Sequence, residues 1–266
     1  MQTPGLASAI GGAIAALLVL SSCRGKDAAH PSLHVAAAAD LAFAFREIGT
    51  AFGKKTGAEP VFSFGSTGLL EKQIEEGGPF DVFAAANVSY ADKAAAAGAC
   101  DPATKALYAR GRIVLWSSTK SPVARPAALA DLADARFVKI AIANPDHAPY
   151  GKAAQQALEH EGLWDRVKPK IVFGENVQQT LEFAKTGNAD AAVVALSLAI
   201  VAEDGAYVPI DPSLHAPIDQ AMIVCKNGRG AELGRQFTEF VNGAEGRAIM
   251  TRYGFLLPGE TVAHTR

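Results

Sequence analysis

The sequence predicts an α/β fold in two lobes with a cleft between them, on three observations. Short apolar runs alternate with segments of helical spacing from Leu33 onward, which is the pattern of βαβ units and a parallel sheet. These units fall into two series, one up to Arg112 and a second after it. The turns that follow the apolar runs are polar or Gly-rich, and open α/β sheets bind ligands at the carboxyl ends of their strands.

Each element has its own reason. Leu33 to Ala39 is a continuous apolar run and reads as a buried strand. Leu41 to Lys54 carries Leu41, Phe45, Ile48 and Phe52 at helical spacing, and Gly57 stops it. Val61 to Phe64 is the second strand, Leu69 to Glu76 the second helix and Asp81 to Ala86 the third strand. In the second series Arg112 to Trp116, Lys139 to Ala143, Lys170 to Phe173 and Ala191 to Val194 read as strands. Helices are expected over Ala127 to Leu132, Lys152 to Glu161, Val177 to Lys185 and Leu196 to Ala202. A late strand, Gln220 to Cys225, precedes two closing helices, Ala231 to Val241 and Ala244 to Tyr253. The organisation expected is 33–112 plus 220–258 as lobe 1, 113–219 as lobe 2 and 259–266 as a tail.

The chain has 266 residues, 49% hydrophobic and 20% charged, with a net charge of -2. That composition is globular, and it gives no reason to expect nucleic acid as a partner. Any anion site is then local rather than an effect of the overall field. Ala9 to Leu20 is an apolar run too short to span a bilayer as a helix. It ends in Leu20-Ser21-Ser22-Cys23, which resembles a bacterial lipobox. Residues 1–23 are read as an export signal with Cys23 as the acylated residue, and 24–32 as a polar tether. The other reading is an ordinary cleaved signal with an incidental cysteine. Cys100 and Cys225 fit no metal or redox spacing. They are expected as two separate buried thiols, although export permits a disulfide.

The most informative stretch is Val61-Phe62-Ser63-Phe64-Gly65-Ser66-Thr67-Gly68, followed by Leu69-Leu70-Glu71. A strand ends in a small, hydroxyl-bearing turn that starts a helix. Backbone N–H groups and two hydroxyls converge there, with the positive end of the helix dipole behind them. The turn has no Lys or Arg, so this cradle uses neutral donors and suits a small dianion. Ala38-Ala39-Asp40, Ala148-Pro149-Tyr150-Gly151 and Gly174-Glu175-Asn176-Val177 are three further turns ahead of helices, and the four divide evenly between the lobes. One such turn could simply be a capped helix; several facing one cleft make an oxyanion site.

Two other functions are weighed. A hydrolase with Ser66 as nucleophile and His147 as base needs a Gly-x-Ser-x-Gly elbow, but Phe64 occupies the first Gly position. A phosphate-binding loop fails because no Gly-Lys-Ser/Thr follows the turn. Carboxylate receptors use an Arg clamp, and none of the four turns contains an Arg. His147, Arg110 and Arg112 read as structural: the first fixes its turn or faces solvent, and the arginines sit at a crossover.

The chain resembles the molybdate-binding substrate-binding proteins of bacterial ABC importers. The resemblance is carried by Val35-Ala36-Ala37-Ala38-Ala39-Asp40-Leu41, Ser63-Phe64-Gly65-Ser66-Thr67-Gly68, Pro79-Phe80-Asp81-Val82-Phe83 and Arg110-Gly111-Arg112. Asn144-Pro145-Asp146-His147-Ala148-Pro149-Tyr150-Gly151, Gly174-Glu175-Asn176-Val177 and Arg252-Tyr253-Gly254-Phe255 complete it, in family order from about Leu33 to Leu257. It implies the class II periplasmic-binding fold, two α/β lobes joined by two crossover hinges, and a non-enzymatic receptor for molybdate or tungstate without a cofactor. Sulfate, phosphate or another small anion is the alternative ligand. The implied ligand-binding residues are Asp40, Ser66, Thr67, Tyr150 and Val177: hydroxyls and amides of Ser66 and Thr67, and the amides of Tyr150 and Val177. A Tyr hydroxyl that one subgroup places near residue 195 is missing, since Ala195 stands there, so the Tyr150 hydroxyl is the implied donor. Asp40 stands where many members have Ser. Its carboxylate is expected to turn back as a helix N-cap, leaving only its amide for the ligand; a carboxylate that faces the cleft instead favours a protonated oxyanion such as hydrogen phosphate. A monomer in the periplasm or cell envelope, delivering to a membrane permease and its ATPase, completes the expectation.

Overall fold

The computed structural model describes residues 30–260. The expected signal and lipobox with Cys23, the tether up to residue 29 and the tail from residue 261 lie outside those residues.

The first lobe begins with β1 (Ser32–Ala38), a 3-10 turn (Ala39–Leu41), α1 (Ala42–Thr56), β2 (Glu59–Gly65), α2 (Thr67–Glu75), β3 (Val82–Ala85), α3 (Val88–Ala96) and β4 (Ala106–Gly111). The chain then crosses over into β5 (Ile113–Ser118), β6 (Ile140–Ala143), α4 (Pro149–His160), α5 (Trp164–Val167) and β7 (Ile171–Gly174). It continues through α6 (Val177–Lys185), β8 (Ala191–Ala195), α7 (Leu196–Ala199) and β9 (Gly205–Pro209). It returns as β10 (Ile218–Val224), α8 (Ala231–Asn242) and α9 (Ala244–Arg252).

Two five-stranded sheets result, in the orders β2-β1-β3-β10-β4 and β7-β6-β8-β5-β9. Neither is purely parallel, which corrects the parallel sheets expected from alternation. The βαβ strands β1, β2 and β3 pair in parallel, as do β6, β7 and β8. The strands next to the crossovers run the other way: β10 is antiparallel to β3 and β4, and β5 to β8 and β9. A strand entering from the other lobe is not the second half of a βαβ unit, so the right-handed crossover rule for parallel pairs does not bind it.

The apolar spacing in α1 buries Phe45, Ile48 and Phe52 against an aromatic cluster. Phe237 of α8 meets Phe45 edge-on at 5.6 Å and Phe52 at 5.3 Å between ring centres. Gly57 ends α1 at φ 74°, a left-handed conformation that costs glycine little. In lobe 2 the small residues of β8, Ala191 to Ala195, are buried along the whole strand and pair with β5, whose Trp116 is fully buried.

Four elements escaped the sequence, among them the one-turn α5. In α3 the buried face is Ala91 and Ala94, alanines that scarcely stand out from their alanine neighbours. β4 and β9 are sheet-edge strands, with broken apolar patterns. The segment expected as a helix over Ala127 to Leu132 is a 3-10 turn at Leu129–Ala133.

Cys100 and Cys225 form a disulfide, correcting the expectation of separate thiols. They belong to an isolated bridge beyond the ends of the regular strands. With a sequence separation of 125, the closed loop contains the whole of lobe 2. Arg110 and Arg112 are structural, as read. Arg110 makes a paired contact with Asp219 on the neighbouring β10, at 2.5 and 3.2 Å. Arg112 donates twice to the Gly254 carbonyl, at 3.0 and 2.7 Å, fastening the crossover to the C-terminal segment.

Candidate functional site

Asp40, Ser66, Thr67, Tyr150 and Val177 line one nearly closed cavity where the lobes meet, with about 10 Å³ open to the centre of a water molecule, together with Ala86, Ala148 and Asn176. All five are buried. No Lys, Arg or His is among the lining residues. Two larger hollows, of about 450 and 620 Å³, lie on lobe 1 alone, against α1, β2, the closing helices and His30.

Local sequence explains which donors remain free. A helix leaves its first N–H groups without intrahelical partners. In α6 the N-cap Asn176 accepts from the N–H groups of Gln178 and Gln179, each at 3.0 Å, and the N–H of Val177 stays outside that cap. In α4 the N-cap is Ala148, which has no capping side chain, and the next residue is Pro149. Pro149 has no N–H, so the N–H of Tyr150 is the first donor of that helix. Both helices thus turn amide dipoles toward the cavity that Tyr150 and Val177 line. Thr67 accepts at Oγ1 from the Ala86 N–H at 3.2 Å, which leaves its own proton available for donation.

Ser66 is the N-cap residue of α2 but makes no side-chain cap. Its Oγ reaches across the cleft to His147, donating to the carbonyl oxygen at 2.7 Å, with Nδ1 also at 2.7 Å. A hydroxyl has one proton, so the Nδ1 contact requires the imidazole to carry its hydrogen there. The Gly68 N–H donates to the same carbonyl at 2.9 Å. His147 therefore joins the lobes, a role that its sequence context did not suggest.

Asp40 departs from its expected place. Its carboxylate caps no helix: α1 starts after Leu41 without a side-chain cap. It faces across the cleft instead, where Oδ2 accepts from the Tyr150 hydroxyl at 2.8 Å and from Gln220 Nε2 at 2.7 Å. The Tyr150 oxygen in turn accepts from Gln220 Nε2 at 3.0 Å. The Tyr150 hydroxyl proton is thus engaged by Asp40 in this arrangement, and the phenol is held well above its usual pKa by burial and by that carboxylate. Burial pushes the Asp40 carboxyl up to about 6, against the lowering effect of the Gln220 and Tyr150 hydrogen bonds. Gly111 at the crossover makes room for the triad: a Cβ there would lie 2.1 Å from the Tyr150 oxygen and 3.0 Å from Gln220 Nε2.

Gln220 and Ser197 are the site residues that sequence reasoning missed. Gln220 is fully buried on β10, and a polar residue inside an apolar strand was the available signal. Ser197 donates to the Asp40 carbonyl at 2.8 Å; nothing in its local sequence separates it from an ordinary helix serine.

Two lobes closing over a small, cation-free cavity lined by amide and hydroxyl donors define a solute receptor. The model of the bacterial extracellular solute-binding protein family matches residues 33–256. The molybdate-binding protein ModA of Rhodobacter capsulatus is 34% identical over 83% of this chain and 86% of its own. The periplasmic molybdate-binding protein of Azotobacter vinelandii superposes with a TM-score of 0.79 at 32% identity, covering 85% of this chain and 99% of that one. A putative ABC transporter substrate-binding lipoprotein of Bacillus subtilis, YvgL, is 29% identical over 91% of this chain and 95% of its own. The chain belongs to the bacterial extracellular solute-binding proteins and, within them, to the ModA family. Its class captures solutes outside the cytoplasm and is not enzymatic.

Proposed function

We propose that this protein captures molybdate in the interlobe cavity and delivers it to an ABC importer. The observation that carries the reading is the convergence of Asp40, Ser66, Thr67, Tyr150 and Val177, from two lobes, on one buried cavity without a cationic side chain. The N–H groups of Tyr150 and Val177 and the hydroxyl and N–H of Thr67 replace the water around a tetrahedral dianion. Helix dipoles stabilise its charge. Tungstate, nearly the same in size and charge, competes. Sulfate is smaller, and it leaves some donors unmade, each at the cost of an unsatisfied buried polar group.

Lobe closure about the two crossovers buries the anion, and the closed form docks on the membrane permease that its ATPase drives. The protein acts as a monomer in the periplasm or cell envelope, held to the membrane through acylated Cys23. Calorimetric titration with molybdate, tungstate, sulfate and phosphate tests the ligand. Tight binding of the first two and weak binding of the others is expected. No heat with molybdate beside tight sulfate or phosphate binding overturns the reading.

A further inference from the structure

We propose that Asp40 takes up a proton when the cavity binds its anion and donates through Oδ1 to a bound oxygen, so that capture is coupled to protonation. The inference rests on the oxyanion reading above and concerns the regulation of that same site. Its basis is the unequal state of the two carboxylate oxygens. Oδ2 already accepts two hydrogen bonds, from Tyr150 and Gln220. Oδ1 is buried and has no partner among the described residues, and Asp40 lines the cavity. An ionised carboxylate with one bare oxygen beside a dianion is repelled at short range in a poorly screened setting. A neutral carboxyl removes the repulsion and adds a donor. Its Oδ2 then serves as the carbonyl oxygen that Tyr150 and Gln220 hold in place, and Oδ1–H faces the ligand.

The groups around Asp40 leave it as the group that titrates. Tyr150 from α4 is held protonated by burial and by the Asp40 charge, and so is Tyr108 from β4. Gln220 from β10 and Ser197 from α7 are neutral. No Lys, Arg or His bonds the carboxylate among the hydrogen bonds and ion pairs of the described residues. Burial already raises the Asp40 pKa to about 6 without ligand, and a neighbouring negative charge raises it further. The proton comes from solvent as the anion enters and returns to solvent as it leaves. Affinity is therefore greatest below the pKa of the free site and falls by up to ~tenfold per pH unit above it, until the pKa of the bound site is passed.

The test is calorimetric titration of the protein with sodium molybdate from pH ~6 to ~8, in buffers of different ionisation enthalpy. The unmodified protein is expected to take up close to one proton at neutral to mildly alkaline pH, with Kd rising over that range. An infrared difference spectrum is expected to gain the C=O band of a protonated carboxyl on binding. Asp40→Asn, whatever its affinity, is expected to lose the proton uptake, the pH slope and the band; Asp40→Ser serves if that variant does not fold. Tight molybdate binding without proton uptake in the unmodified protein overturns this inference and leaves the oxyanion reading standing. Uptake that persists in Asp40→Asn also overturns it. Absence of molybdate binding at every pH removes the molybdate reading and, with it, the inference that molybdate capture is coupled to protonation.

Discussion

The two lobes meet the same cavity with different chemistry. Lobe 1 brings side chains: the Asp40 carboxylate, the Ser66 and Thr67 hydroxyls and, from β10, the Gln220 amide. Lobe 2 brings chiefly the starts of helices, with Tyr150 and Val177 at or next to the first position of α4 and α6. The interiors differ as well. Lobe 1 has the aromatic cluster around Phe237 and the disulfide, whereas lobe 2 sets the small residues of β8 beside β5 with its buried Trp116. Backbone donors are set once their helix is placed, and they do not titrate. Side-chain donors can rotate, exchange partners and change charge. Lobe 1 thus combines the covalent tie with the chemically adjustable part of the site.

The largest expected effect tests the aromatic anchor. Phe237→Ala removes the ring shared by Phe45 and Phe52 and should cost ~3–5 kcal/mol of unfolding free energy, measured by denaturant titration. A cost near that of a surface change would show that the cluster does not set the stability of lobe 1. Reducing the Cys100–Cys225 disulfide, or replacing both residues with serine, should cost ~2–5 kcal/mol, because the closed loop spans lobe 2. Unchanged unfolding midpoints with and without reductant would remove the covalent tie from the comparison.

The third prediction has the opposite sign. The Asp40 carboxyl has a folded pKa of about 6 against an ordinary 3.8. The folded state therefore binds the proton more tightly than the unfolded state. Its contribution to stability is fully present below pH 3.8 and is lost as the pH rises through about 6. By neutral pH the ionised carboxylate costs on the order of 3 kcal/mol. Asp40→Asn should then stabilise the ligand-free protein at pH ~7 and much less at pH ~4. Equal effects at both pH values would mean that the substitution acts through packing rather than charge.

The smallest effect concerns the joint between lobes. Ser66→Ala removes the hydroxyl bonded to His147 and should weaken molybdate binding by ~0.5–1.5 kcal/mol, while unfolding of the separate lobes changes little. A change in lobe 1 stability as large as the loss of affinity would contradict a role in closure.

Much of this was legible because local rules govern it. The helix over Val177 to Lys185 has the bounds its sequence predicts, since the Asn176 cap and the apolar spacing agree. The turn at Gly65 to Gly68 is recognisable from residue type alone, but that the Ser66 hydroxyl and the Gly68 N–H go to the His147 carbonyl is not. Pairing escaped. Cys100 and Cys225 carry no local sign of each other, and Asp40 has the capping propensity of its type but faces Tyr150 and Gln220 in the fold. The alanine face of α3 and the edge strands β4 and β9 were lost because the hydrophobic pattern is weak where few large side chains are buried.

By itself, the sequence determined the alternation of strands and helices, the two series, the neutral donor turns and the family, because these depend on residue types within a few positions of one another. Only the tertiary structure decided which strands run antiparallel, that two distant cysteines join around a lobe, and that Asp40 lies against Tyr150 and Gln220 with one oxygen unpaired. Those outcomes depend on groups 70 to 180 residues apart, brought together by closure of the chain rather than by any local preference.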